Sequence, residues 1–178
     1  SDAEAGVLVT GNDVEIRGLR IDADGAGAGV QVGTRETGRE TEVPSGVTVA
    51  DNEVGGAADG VVSFGAPALW VERNRIEATG NGTRIAGPHR AAVRENEIAG
   101  AEAGIVVRGM IPDISNNRVV DAETGILLDV PPSFIQIIGG EFGTIEANTV
   151  ENADEGIRIV EAAPEGSVGD NTFRNVNT

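Results

Sequence analysis

The chain has 178 residues with 29 acids against 13 bases, a formal charge of −16, no cysteine and 3% aromatic residues. That composition excludes a disulfide scaffold and any thiolate metal site. It also argues against nucleic acid or an anionic membrane surface as partner, since both require clustered cationic side chains. The hydrophobic fraction, 39%, is too high for disorder, and no apolar run reaches the roughly 18 residues of a membrane-spanning helix. A single folded domain over residues 1–178, without membrane insertion, is expected. All 13 bases are arginine. Many acids with no lysine suit a protein kept soluble at high salt, where self-repulsion is screened within a few Å. A halophilic, haloarchaeal source is the expectation.

In chain order, GVLV at Gly6 and VEIRGLRI at Val14 are short alternating apolar tracts, the signal of half-buried strands. The tracts VTVADNEV, LWVERNRI, AAVRENEI, PDISNNRV, GTIEANTV and GSVGDNTF then align on Asn52, Asn74, Asn96, Asn117, Asn148 and Asn171, with gaps of 22, 22, 21, 31 and 23 residues. An apolar residue stands three before each asparagine and another two after it. Gly60, Gly82, Gly104, Gly125 and Gly156 each follow an asparagine by eight residues and open a second alternating tract. Leu19 takes the asparagine position in the first repeat.

Each period thus holds two strands, one at the asparagine and one after the glycine. The glycine is expected at a turn with φ > 0 or in packing too tight for a Cβ. This predicts an all-β fold, a right-handed parallel β-helix of about seven coils of about 22 residues, stacked at about 4.8 Å. Val and Ile fill the narrow bore, and the asparagines bond amide to amide along the axis. A leucine-rich repeat shares the spacing around the asparagine. Leucine is scarce here, however, and the second half of each period alternates like a strand rather than a helix.

The pattern resembles the pectin-lyase-like superfamily of parallel β-helix repeats, including its carbohydrate-binding and sugar-hydrolase group and the NosD-like periplasmic proteins. The resemblance covers nearly the whole chain and implies a secreted or cell-surface location. It is informative for architecture and weak for activity.

Outward positions carry charge in register. Glu53, Arg75, Glu97 and Arg118 follow the asparagines, Asp51, Arg73 and Glu95 precede them, and acid faces base from coil to coil, an arrangement read as structural. Glu102, Glu123 and Asp154 stack like charges before the glycines. With Asp22 and Asp24, a fragment of a calcium-loop pattern, they are weak metal candidates. No cofactor is expected beyond weakly bound calcium or monovalent cations.

Insertions at 33–46 and 131–142 leave the same edge about 20 Å apart and would bound a cleft. Beneath it lie Trp70, Glu72, Arg94 and Asp113, with His89 and Arg90 on the rim, a candidate glycan-binding strip. Two functions are weighed. One is a non-catalytic extracellular module, glycan-binding or structural, with a polysaccharide or cell-surface protein as partner. The other is a polysaccharide lyase or glycoside hydrolase acting on an acidic polysaccharide, with Arg94, Glu72 and Asp113 in the catalytic roles. The balance falls against catalysis, because the clustered Asp pairs and the His-Gly and Arg-x-Lys motifs of polygalacturonase-like hydrolases are missing. Neither terminus contains an amphipathic capping helix, so end-to-end self-association, or contact with neighbouring segments of a longer protein, is a further expectation.

Overall fold

The computed structural model describes residues 5–34, 43–87, 90–109, 112–130, 143–160 and 167–177. Every strand pairing among them is parallel, and each strand pairs with its counterpart one repeat away, giving a right-handed parallel β-helix. The coil has three faces rather than the two strands per period expected from the sequence. The first face is a seven-stranded sheet of the tracts before the asparagines, from Glu15–Arg17 through Val47–Ala50, Ala68–Glu72, Arg90–Arg94, Asp113–Ser115 and Thr144–Glu146 to Ser167–Gly169. The second face holds the tracts after the asparagines, such as Glu53–Ala57 and Arg75–Ala78. The third holds the glycine tracts, such as Asp59–Phe64 and Ala103–Arg108. Two 12-residue strands, Arg118–Asp129 and Thr149–Val160, run round the corner and join the second and third faces into one sheet.

The extra break has a local cause. The residue just before each ladder position adopts the left-handed conformation: Gly18, Asp51, Arg73, Glu95, Asn116, Ala147 and Asp170, with φ between 53° and 67°. Non-glycine residues enter this region at a cost of about 1–2 kcal/mol each, so something must hold them there. The asparagines do so. At the corner the main-chain NH of each has no strand partner. The next asparagine supplies one, as in Asn52 N to Asn74 Oδ1 (3.1 Å) and Asn74 N to Asn96 Oδ1 (2.9 Å). The same Oδ1 accepts from the side-chain amide of the previous asparagine at 2.9–3.0 Å along the whole ladder from Asn52 to Asn171. The second Nδ2 proton goes to a carbonyl one coil back, for example Asn96 to Val71 O at 2.9 Å. Asn52, Asn74, Asn96, Asn117 and Asn148 are buried and fully bonded, which makes a buried polar row tolerable.

The expected inward ladders are in register. Val49, Val71, Val93 and Ile114 stack on the first face, and Val54, Ile76, Ile98, Val119 and Val150 on the second, all buried. The described core is built of Val, Ile, Leu and Ala without an aromatic ring, as a bore three short strands wide demands. At the C-terminal coil the same rows are uncovered, and Phe173 is 48% exposed.

The turn part of the glycine expectation is corrected here. Gly60, Gly82, Gly104, Gly125 and Gly156 lie within strands and none has positive φ. Their glycine character comes from packing. A Cβ on Gly104 would stand 2.6 Å from the Gly125 carbonyl oxygen and closer still to Val119 Cγ1. Left-handed glycines sit elsewhere, four of them at the corner after the third face: Gly33, Gly65, Gly87 and Gly109. Of the insertions, 35–42 and 131–142 lie outside the described residues, and so does the cleft they were expected to bound.

Candidate functional site

The first face presents its alternate residues outward. In Ala68–Glu72, Leu69 and Val71 point into the bore and are fully buried, so Trp70 must point out. Its neighbours in register are Thr48 on one side and Ala92 on the other, followed by Asp113 and Thr144. The indole is 38% exposed and Ala92 only 3%. Small residues flank the ring in register on both sides, Thr48 and the covered Ala92. The next outward row, two residues along, runs Ala50, Glu72, Arg94, Ser115 and Glu146.

The expected strip is therefore assembled, and the charges around it are tied to one another. Arg94 Nη2 donates to Asp113 Oδ2 at 2.9 Å, diagonally across one coil. Glu72 accepts from Arg73 Nη1 at 3.2 Å. Arg73 also bonds Asp51 Oδ1 at 2.8 Å, and Arg17 reaches Asp51 Oδ2 at 3.0 Å. The hydrogen bond from Arg73 holds the Asp51 carboxyl below the usual carboxylate range against the opposing effect of desolvation, helped by the nearby guanidinium charges of Arg73 and Arg17. The Asp51 and Glu72 carboxylates push the Arg73 guanidinium upward in turn. Arg90 is exposed at the start of its strand, whereas His89 lies outside the described residues.

On the second face the charged row alternates as expected and extends one coil further, through Arg20, Glu53, Arg75, Glu97 and Arg118. The bonds made are partly diagonal. Arg118 bridges Glu97 at 3.3 Å and Glu151 at 2.7 Å, and Arg174 reaches the other oxygen of Glu151 at 2.7 Å. The Arg118 hydrogen bond, with that from Arg174, draws the Glu151 carboxyl below its ordinary range. Exposed pairs of this kind contribute about 0–1 kcal/mol each.

Glu102, Glu123 and Asp154 do share one feature, a shallow groove of about 470 Å³ at the corner between the second and third faces, with Asp121, Asn152 and Asn175. Asp22 and Asp24 lie far up the stack, Asp22 at the end of strand Arg20–Asp22 opposite Gly55 and Asp24 beside Gly56. Among the described residues no three of His, Cys, Asp or Glu come close enough to hold a metal ion.

One cluster escaped the sequence reading. Asp59 Oδ1 accepts from Asn81 Nδ2 at 2.6 Å and from Asn81 N at 3.0 Å, while Asp59 Oδ2 meets Arg84 Nη2 at 2.9 Å. Arg84 also lies over the Phe64 ring, 5.6 Å from its centroid. The signal was available, since Asp59 and Asn81 each directly precede a ladder glycine. It was hidden because a polar residue beside a glycine reads as a turn.

A comparison with curated proteins and one with solved structures return no match. A family model described as "Periplasmic copper-binding protein (NosD)" matches residues 4–178. The match runs through every coil that carries the asparagine ladder, and the chain belongs to the NosD family.

Proposed function

We propose that this chain is a non-catalytic β-helical module, working outside the cytoplasm, that binds a neutral polysaccharide across the first face with Trp70 as its stacking platform. The observation that carries the reading is an exposed indole on a parallel sheet, flanked in register by Thr48 and Ala92. Such a surface suits the apolar face of a pyranose ring, while Glu72, Arg94 and Asp113 offer hydrogen bonds at its edge. The charge balance favours a neutral chain. Arg94 and Arg73 are already engaged by carboxylates, and a net charge of −16 repels uronates. The family's periplasmic description agrees with a location outside the cytoplasm. The lysine-free acidic surface supports a high-salt medium.

Catalysis is the weaker reading. Glycoside hydrolysis needs one carboxyl kept protonated as general acid. Glu72 and Asp113 are each engaged by a guanidinium, Arg73 at 3.2 Å and Arg94 at 2.9 Å, so neither carboxyl is free to face a glycosidic oxygen. A lyase would need Arg94 free as a base, and it is bound to Asp113.

Copper, which the family's description carries, requires its own donors. Copper(I) selects thiolate, thioether and imidazole, and copper(II) selects imidazole in tetragonal N/O sites. The whole chain offers no cysteine, one histidine and one methionine. Those residues do not fit a copper centre.

Trp70 is the only tryptophan and the chain has no tyrosine, so intrinsic fluorescence reads this site alone. Titration with neutral, amino-sugar and uronate oligosaccharides in molar salt is expected to shift Trp70 emission with the neutral set. Calorimetry should show at least a tenfold loss of affinity in Trp70→Ala. Unchanged emission across all three classes, or binding retained by Trp70→Ala, would remove the reading.

A further inference from the structure

We infer that this member of the NosD family holds no copper centre within these 178 residues, and that the inner polar groups of its described coils are committed to building the coil instead. The donor set is the first ground. His89 and Met110 are the only imidazole and thioether in the chain. Together they supply two ligands suited to copper, short of the three or four of a retained tetragonal or trigonal site.

The second ground is what the remaining polar groups do. Oxygen donors are plentiful, but oxygen-only sites favour Mg²⁺, Ca²⁺ and Mn²⁺ over copper. The inner oxygens are also spoken for. Each ladder Oδ1 from Asn74 to Asn171 accepts both a main-chain NH and a side-chain NH. Asp59, the one carboxylate among the described buried polar residues, is shared between Asn81 and Arg84. Asp51, Asp113 and Glu151 are paired with arginines. Withdrawing any of them for a metal would leave a buried donor or a guanidinium without its partner.

What remains is the diffuse field of the acidic surface. It attracts copper(II) weakly, at many places, and is screened by salt.

The test loads the whole chain with copper alone. Copper(II) uptake followed by equilibrium dialysis and by electron paramagnetic resonance is expected to fall at least tenfold between about 0.1 and 2 M KCl, with no nitrogen hyperfine structure. Copper(I), offered as its bicinchoninate complex without oxygen, is expected to stay on the chelator. The double variant His89→Ala/Met110→Leu should behave as the parent does. One equivalent of copper held through 2 M KCl, or withdrawn from the chelator, would overturn the inference. Loss of that copper in the double variant would place the centre at His89 and Met110.

Discussion

Asn96 Oδ1 accepts two hydrogen bonds from Asn74, one from its main-chain NH at 2.9 Å and one from its side-chain amide at 3.0 Å. A single carboxamide oxygen thus closes the corner of one coil and joins it to the next. Asn96 also donates to Val71 O at 2.9 Å and to Asn117 Oδ1 at 3.0 Å. Replacing it by alanine strands donors and acceptors on both neighbouring coils. Each buried unsatisfied group costs about 1–3 kcal/mol, so Asn96→Ala is expected to lose at least about 3 kcal/mol. Urea unfolding monitored by circular dichroism measures it. A loss below about 1 kcal/mol would mean that water replaces the bonds.

The glycine row makes a contrasting pair of predictions. At Gly104 a Cβ would collide with Val119 and with the Gly125 carbonyl, whereas at Gly55 nothing lies within 4 Å. Neither residue has positive φ. Gly104→Ala should cost about 2–3 kcal/mol through overpacking. Gly55→Ala should be neutral or slightly stabilising, because it narrows the unfolded ensemble. Equal effects at the two sites would show that the Gly104 contact relaxes easily.

Inside the bore, Thr83 stands in register with Val61 and Ile105, and its hydroxyl has no hydrogen-bond partner. Valine keeps the shape and removes the orphan group. Thr83→Val is expected to raise stability by about 1 kcal/mol, seen as a higher urea midpoint at an unchanged slope. A destabilised variant would point to a water bound to the hydroxyl.

Salt should act on the whole surface. With a formal charge of −16, the folded state concentrates repulsion that the unfolded chain relieves. The melting temperature is expected to rise between about 0.1 and 2 M KCl as the screening length contracts from about 10 Å to below 3 Å. A flat melting temperature over that range would disconnect the acidic composition from salt.

The repeat was legible because its spacing is enforced coil by coil. An asparagine cannot leave its register without breaking bonds to both neighbours, so Asn52 through Asn171 mark the axis in the bare sequence. The outward position of Trp70 followed from the same alternation, since Leu69 and Val71 must share the bore. The corner that splits each asparagine tract into the first and second faces was not legible. Its origin is a left-handed residue before each asparagine, and residues as unlike as Asp51, Arg73, Glu95 and Ala147 occupy that site. No side chain there advertises the turn, because the ladder one residue later imposes it. The role of Gly60 and its counterparts was also undecided in one dimension. A missing Cβ serves a turn or a close approach equally well, and only the placement of Ile76 and of the Gly82 carbonyl against Gly60 showed which. The fate of the charges was decided in the same way. Register put Arg94 near both Glu72 and Asp113, but side-chain reach, which has no sequence signal, gave it to Asp113.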